Sequence, residues 1–224
     1  MVEETKDTYA YYPVFRASGP TSDRDRAAEA AHEAEVLFKE WGDRVKLRGH
    51  YSTVGFRPDA DLMMWWVATS PHDVQGLLAD FRRTALGRSL EQTHAFFGVH
   101  RPPETAPDHV PAFIRGEPAR TYLCVYPFVR TAEWYLLPKE ERAELLRTHG
   151  EMGREFPDVL PNTTSAFGIG DWEWILAFES NDLPRLVDCI RRLRESESRK
   201  YVKEEVPFVT GIRKDLGLAV RDLR

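Results

Sequence analysis

The sequence predicts an α+β fold built from two copies of one module, each running β-α-β-β-α-β. Strand and helix periodicities alternate in the same order in both halves of the 224 residues. The strand motif YPVFR at 12–16 returns as YPFVR at 126–130, a displacement of 114 positions. A second pair, MMWWVATSPHD at 63–73 and WEWILAFESND at 172–182, lies in the matching place of each half. A repeated element order carrying repeated motifs argues for duplication. The order is ferredoxin-like. The expected product is two four-stranded antiparallel sheets forming one dimeric α+β barrel within the chain, helices outside.

The first half is expected over residues 1–100. Residues 8–16 read as a strand, and Ser22 as the cap of a helix that buries Ala27, Ala31, Ala34, Phe38 and Trp41 at helical spacing. Strands follow at 45–56 and 61–69, with Pro58 and Asp59 as the turn. A helix after Asp73 is expected to bury Val74, Leu77, Leu78, Phe81 and Ala85, and a strand at 94–100 closes the half. Residues 101–119, rich in proline and charge, form a connector long enough to carry function. The second half, 120–224, repeats the order: strand 120–129, helix 138–154, strands 163–169 and 172–179, helix 183–195 and strand 206–212.

The net charge of -5 leaves no electrostatic footprint for nucleic acid. The longest apolar run, Leu62 to Ala68, is too short to span a bilayer, so no integral membrane association is expected. The polar, acidic start MVEETKDTY is unlike a secretory leader. Cys124 and Cys189 fall inside predicted elements without a metal-ligand partner at CxxC spacing, as in a reduced, cytoplasmic protein.

The chemistry is expected in the second half. The 138–154 helix opens on Pro138 and carries Glu140 and Glu141 in its first turn, which complements the helix dipole. Its apolar face is Leu145, Leu146, His149 and Met152, so the imidazole projects from the inward stripe. Gly150 and Gly153 leave room beside it for something large and flat. On spacing alone the plainer reading of His149 is a satisfied core histidine. His109, in the connector, reads alone as a solvated loop residue.

The chain resembles the chlorite dismutase-like superfamily, and within it the actinobacterial coproheme decarboxylases. The carrying motifs are YPFVR, the 134–150 run ending in His149 and Gly150, DWEW at 171–174 and RESESRKY at 194–201. The resemblance implies hydrogen peroxide-dependent oxidative decarboxylation of two propionates of iron coproporphyrin III (coproheme), giving haem b, in a homopentamer. It places His149 as the iron ligand, Tyr126 as a radical relay and His109 as the distal base that moves the peroxide proton. Arg130, Arg194 and Arg199 become candidate propionate holders, against the plainer reading of solvated charges. Trp134 and Trp174 match aromatic positions near the reactive propionate, against ordinary packing. A coproporphyrin ferrochelatase and haem acceptors are the implied partners. The competing readings are a chlorite dismutase-type haem enzyme, a non-catalytic haem carrier or sensor, and a cofactor-free monooxygenase. The resemblance implies that a chlorite enzyme would carry a distal arginine on the strand after the His149 helix; the stretch between Arg154 and Trp174 has none, which argues against chlorite chemistry.

Overall fold

A computed structural model describes residues 7–18, 24–102 and 110–223, with residues 24 and 25 described in backbone alone. Ser22 and His109, the expected helix cap and distal base, lie outside the described residues. The elements in chain order are β1 (Tyr9–Ala17), α1 (Arg24–Glu40), β2 (Val45–Arg57), β3 (Ala60–Ala68), α2 (Pro71–Phe81), α3 (Ala85–Arg88) and β4 (Leu90–Val99). They continue with β5 (Tyr122–Arg130), α4 (Ala132–Leu136), α5 (Lys139–Arg154), β6 (Leu160–Ser165), β7 (Trp174–Ser180) and α6 (Leu183–Leu193). A 3-10 turn (Glu197–Tyr201), β8 (Val202–Glu204), β9 (Val209–Lys214) and α7 (Leu216–Arg221) complete the chain. No described helix is long and apolar enough to cross a membrane.

The chain divides into two compact units, one of residues 1–100 with 209–224, the other of residues 101–208. In the first, antiparallel strands run β4-β1-β3-β2-β9. Its core packs Ala27, Ala31, Ala34, Phe38 and Trp41 against Trp66, Leu77 and Phe81, as the helical spacing requires. Three details differ from expectation, the first being that β4 begins at Leu90, ahead of the expected 94. Helix α2 stops at Phe81, and the chain restarts as the short α3, capped by Thr84, so Leu86 is buried and Ala85 exposed. The last strand also groups away from the half that precedes it: β9 pairs with β2 through His50–Lys214, Tyr51–Arg213 and Ser52–Ile212. Helix α7 follows it and adds Leu216, Ala219 and Val220 to the same core. Backbone pairing, which side-chain periodicity does not encode, draws this boundary.

In the second unit the antiparallel order is β6-β7-β5-β8. Its core gathers Cys124, Tyr126, Phe156, Val159, Phe178, Leu186 and Cys189, and both cysteines are free and buried. The described part of the connector docks on this sheet. Phe113 N–H donates to Asn162 Oδ1 at 3.1 Å, and Asn162 Nδ2 donates to Ala177 O and to Glu179 Oε1, each at 3.2 Å. Arg120 N–H donates to the other Glu179 oxygen at 3.1 Å. A fully buried glutamate and asparagine are thereby satisfied by the backbone they anchor.

His50, on β2 against the Phe38 ring, titrates far from its ordinary range. Burial pulls it from 6.5 to about 4; Asp215 draws it up and Arg213 down. Between those values the unfolded chain binds a proton that the folded chain refuses, so stability falls as pH drops through that window. In denaturant titrations the native protein is expected to lose up to about 1.4 kcal/mol per pH unit more than His50→Leu on going from pH 6.5 toward 4. Equal slopes for the two proteins would contradict this.

Candidate active site

The second unit holds a cleft of about 60 Å³, partly open to solvent. Its walls come from β5, α5, β7, α6 and the segment 198–205. Strand alternation puts Tyr126, Phe128 and Arg130 on one face of β5. The register with β7 sets Leu176 opposite Tyr126 and Trp174 opposite Phe128. All three of those β5 residues line the cleft, together with His149, Leu176, Arg194, Ser198, Arg199 and Glu205.

Helix α5 carries the imidazole. It begins at Lys139, with Pro138 just before it, and has Glu140 and Glu141 in its first turn. No residue of α5 is fully buried; Leu145, Leu146, His149 and Met152 are half-buried along one side. A Cβ built on Gly150 would meet nothing within 4 Å, whereas one on Gly153 would touch Leu193 Cδ2 at 3.8 Å, so of the two glycines only Gly150 borders open space. His149 Nδ1 lies 3.5 Å from Ser198 Oγ, a long contact, and Ser198 Oγ is in turn 3.1 Å from Ser196 Oγ. Burial, and then the Arg130 charge, push the imidazole below its usual range, so it is neutral at pH 7 with a lone pair available to a metal. Among the described residues no group of three or more potential metal ligands is present. A single imidazole suits a metal that a macrocycle already ligates in its plane.

Arg130 joins strand to turn. Its Nη1 donates to Ser198 O at 2.9 Å, and its guanidinium lies 4.0 Å above the Trp134 ring and 5.0 Å from Phe128. Its backbone N–H donates to Glu173 Oε2 at 2.7 Å, and the same oxygen accepts from the Tyr135 hydroxyl at 2.5 Å. Burial lowers Arg130 to about 10, which leaves it charged at neutral pH. Tyr126 is 5% exposed and stacks between Phe208, at 4.3 Å, and Phe178, at 5.9 Å. Burial, ahead of the neighbouring Cys124 and Glu205, holds its phenol well above 10, so it keeps its proton.

The structure thus brings Tyr126, Arg130, His149, Arg194 and Arg199 to one cleft. Trp134 is buried behind Arg130, against Tyr201, and Trp174 stands behind Phe128, its ring stacked at 6.1 Å. Both tryptophans support cleft residues and neither lines the cleft itself. Sequence reasoning missed Ser198, Glu205, Phe208 and Glu173. Ser198 stood inside the RESESRKY motif, but a serine in an irregular segment gives no periodic signal of its direction.

With the fold and the cleft in hand, the class is defined: the chain belongs to the chlorite dismutase family, whose sequence model matches residues 27–214. It is 45% identical over 207 residues to a coproheme decarboxylase of Mycolicibacterium smegmatis, an alignment covering 92% of this chain and 89% of the relative. A coproheme decarboxylase of Thermus thermophilus is 28% identical over 210 residues, 87% of this chain and 82% of that one. Among solved structures, a mutant chlorite dismutase from Candidatus Nitrospira defluvii has a TM-score of 0.85 at 21% identity, covering 96% and 94% of the two chains. That likeness carries the α+β fold.

Replacing Arg130 with alanine removes the donor to Ser198 O and the cation from the Trp134 face. Denaturant unfolding is expected to show a loss of roughly 1–3 kcal/mol. Lysine there should recover only part of it, since it lacks the planar fork. No loss with alanine would contradict the clamp.

Proposed function

We propose that this protein converts coproheme to haem b by hydrogen peroxide-dependent oxidative decarboxylation of two propionates. The observation that carries the reading is one cleft lined by a neutral imidazole, a buried protonated phenol and three arginines. Each group suits a part of that substrate. The imidazole of His149 would hold the iron. The arginines match the porphyrin's carboxylates, and Phe128, Leu176 and Phe178 match its apolar faces.

Bound coproheme supplies the oxidising equivalents when it meets peroxide; the chain's own residues direct them. Each propionate lost consumes one peroxide and yields a vinyl group, carbon dioxide and two waters. Tyr126 is the relay. Its phenol keeps its proton, so what it exchanges is a hydrogen atom: it gives one up to become a tyrosyl radical and regains one from the propionate β-carbon. The bond to the carboxylate then breaks, carbon dioxide leaves, and the remaining electron is taken by the second oxidising equivalent of the same peroxide. Stacking between Phe208 and Phe178 fixes the ring during both transfers. In the tautomer with Nδ1–H directed at Ser198 Oγ, the hydroxyl accepts and Nε2 of His149 is left for the iron. Arg130, Arg194 and Arg199 hold carboxylates, while Trp134 and Trp174 keep Arg130 and Phe128 in place. His109 as the base for peroxide rests on the family resemblance.

The same reading makes the two halves a duplicated ferredoxin-like module forming a dimeric α+β barrel. The strand order β4-β1-β3-β2 of the first unit supports this, as do the repeated motifs. It keeps 101–119 as the connector bearing the distal histidine. It places the protein in the cytoplasm as a homopentamer, receiving coproheme from a coproporphyrin ferrochelatase and passing haem b to acceptors. The shared fold keeps chlorite dismutation as the second reading; the absence of arginine between Arg154 and Trp174 stands against it, and oxygen release from chlorite at an electrode tests it.

Peroxide titration of the coproheme complex, followed by product mass, is expected to show loss of one and then two formic-acid equivalents. Bleaching at unchanged mass would refute the reading. Tyr126→Phe is expected to bind coproheme and to decarboxylate it slower by about 100-fold or more, the scale for loss of a positioned hydrogen-transferring side chain. A Phe variant with native turnover would remove Tyr126 from the mechanism.

A further inference from the structure

The two outer arginines of the cleft already hold a carboxylate. Glu205 follows β8, and its Oε2 lies 2.9 Å from Arg194 Nη2 and 2.6 Å from Arg199 Nη1. The arginine side chains are 42% and 37% exposed, against 18% for the glutamate, so solvent reaches the cations from the side the acid does not cover. The contacts have the distance of ion pairs without the direction of hydrogen bonds: Oε2 and Arg199 Nη1 are both buried and neither has an aligned partner. Arg130 differs, because its guanidinium is tied to Ser198 O and stacked on Trp134.

A glutamate side chain is itself a propionate: two methylenes ending in a carboxylate. Its contact with this arginine pair reproduces the group that a coproporphyrin would present there. We infer that Glu205 is an internal placeholder for a substrate propionate, neutralising Arg194 and Arg199 until a porphyrin carboxylate displaces it. This rests on the reading of the cleft as a coproheme site. The exchange replaces one carboxylate with another, so the arginines are never left unpaired in a half-buried setting. The exposed parts of both arginine side chains leave Glu205 open to competition by a ligand carboxylate that pairs with them bidentately. A porphyrin with no carboxylate at that position has nothing to offer in exchange. Glu205 is then a specificity-determining residue: it sets a threshold that only an acid side chain of the ligand overcomes.

The test is a fluorescence titration of the full chain with metal-free coproporphyrin III, which isolates carboxylate recognition from iron ligation. Glu205→Gln, nearly isosteric and uncharged, is expected to bind it roughly five- to thirtyfold more tightly than the native protein, as removal of a competing charged partner implies. The tetramethyl ester should show no such gain. Glu205→Asp keeps the charge but withdraws it by one methylene; it should move in the same direction and replaces the Gln variant if that does not fold. Unchanged or weaker binding by both variants would overturn the inference, because a mere buttress for the arginines weakens the site when removed. An equal gain for the ester would overturn it too, since space and not charge would then be responsible. Failure of the native protein to bind either coproporphyrin III or coproheme would overturn the functional reading itself, a result separate from any difference between native protein and variant.

Discussion

The second unit depends on a short chain of contacts from strand to turn to helix. Arg130 closes β5 and donates to the carbonyl of Ser198; the hydroxyl of Ser198 faces the imidazole of His149 on α5. A guanidinium half-withdrawn from water must be compensated, and a backbone carbonyl with two aromatic faces does so. The compensation positions the site. The 3-10 turn that carries Ser198 also carries Arg199, and the strand that carries Arg130 also carries Tyr126. One half-buried cation thus ties the strand that carries Tyr126 to the turn that carries Ser198 and Arg199, beside the imidazole of His149.

The two units use the same strand alternation to different ends. In the first, the inward faces of β1, β2 and β3 meet α1 and α2 in a core of large aromatic side chains, with Phe15, Phe38, Trp66 and Phe81 in contact. In the second, α5 has no fully buried residue, and its leucines and histidine stand half-covered beside the cleft. A helix with an apolar side and little covering it has the character of an interaction surface. The first unit uses its long helix for packing, with Phe38 and Trp41 in the core.

Much of this was legible in the sequence, for physical reasons. The period of two in YPFVR put Tyr126 and Arg130 on one face, and the period of 3.6 in α5 put His149 beside Leu145 and Leu146. What escaped was whatever lacks a period. Helix α4 is five residues long and read as connection. Strand β6 starts at Leu160 instead of 163, because its alternation runs through polar Asn162 and Thr164, buried by their hydrogen bonds. The pairing of β9 with β2 is a long-range match that no local window contains. Ser198 and Glu205 sit in irregular backbone, where residue type names a chemistry without giving its direction.

The central claim is that the His149 imidazole binds the iron of coproheme inside the second unit. The most direct measurement is the visible spectrum of ferric coproheme added to the native protein and to His149→Ala, before and after addition of free imidazole. The account predicts a histidine-ligated spectrum for the native protein, its loss in the alanine variant and its return when imidazole fills the vacated space. An alanine variant whose coproheme spectrum matched that of the native protein would contradict it.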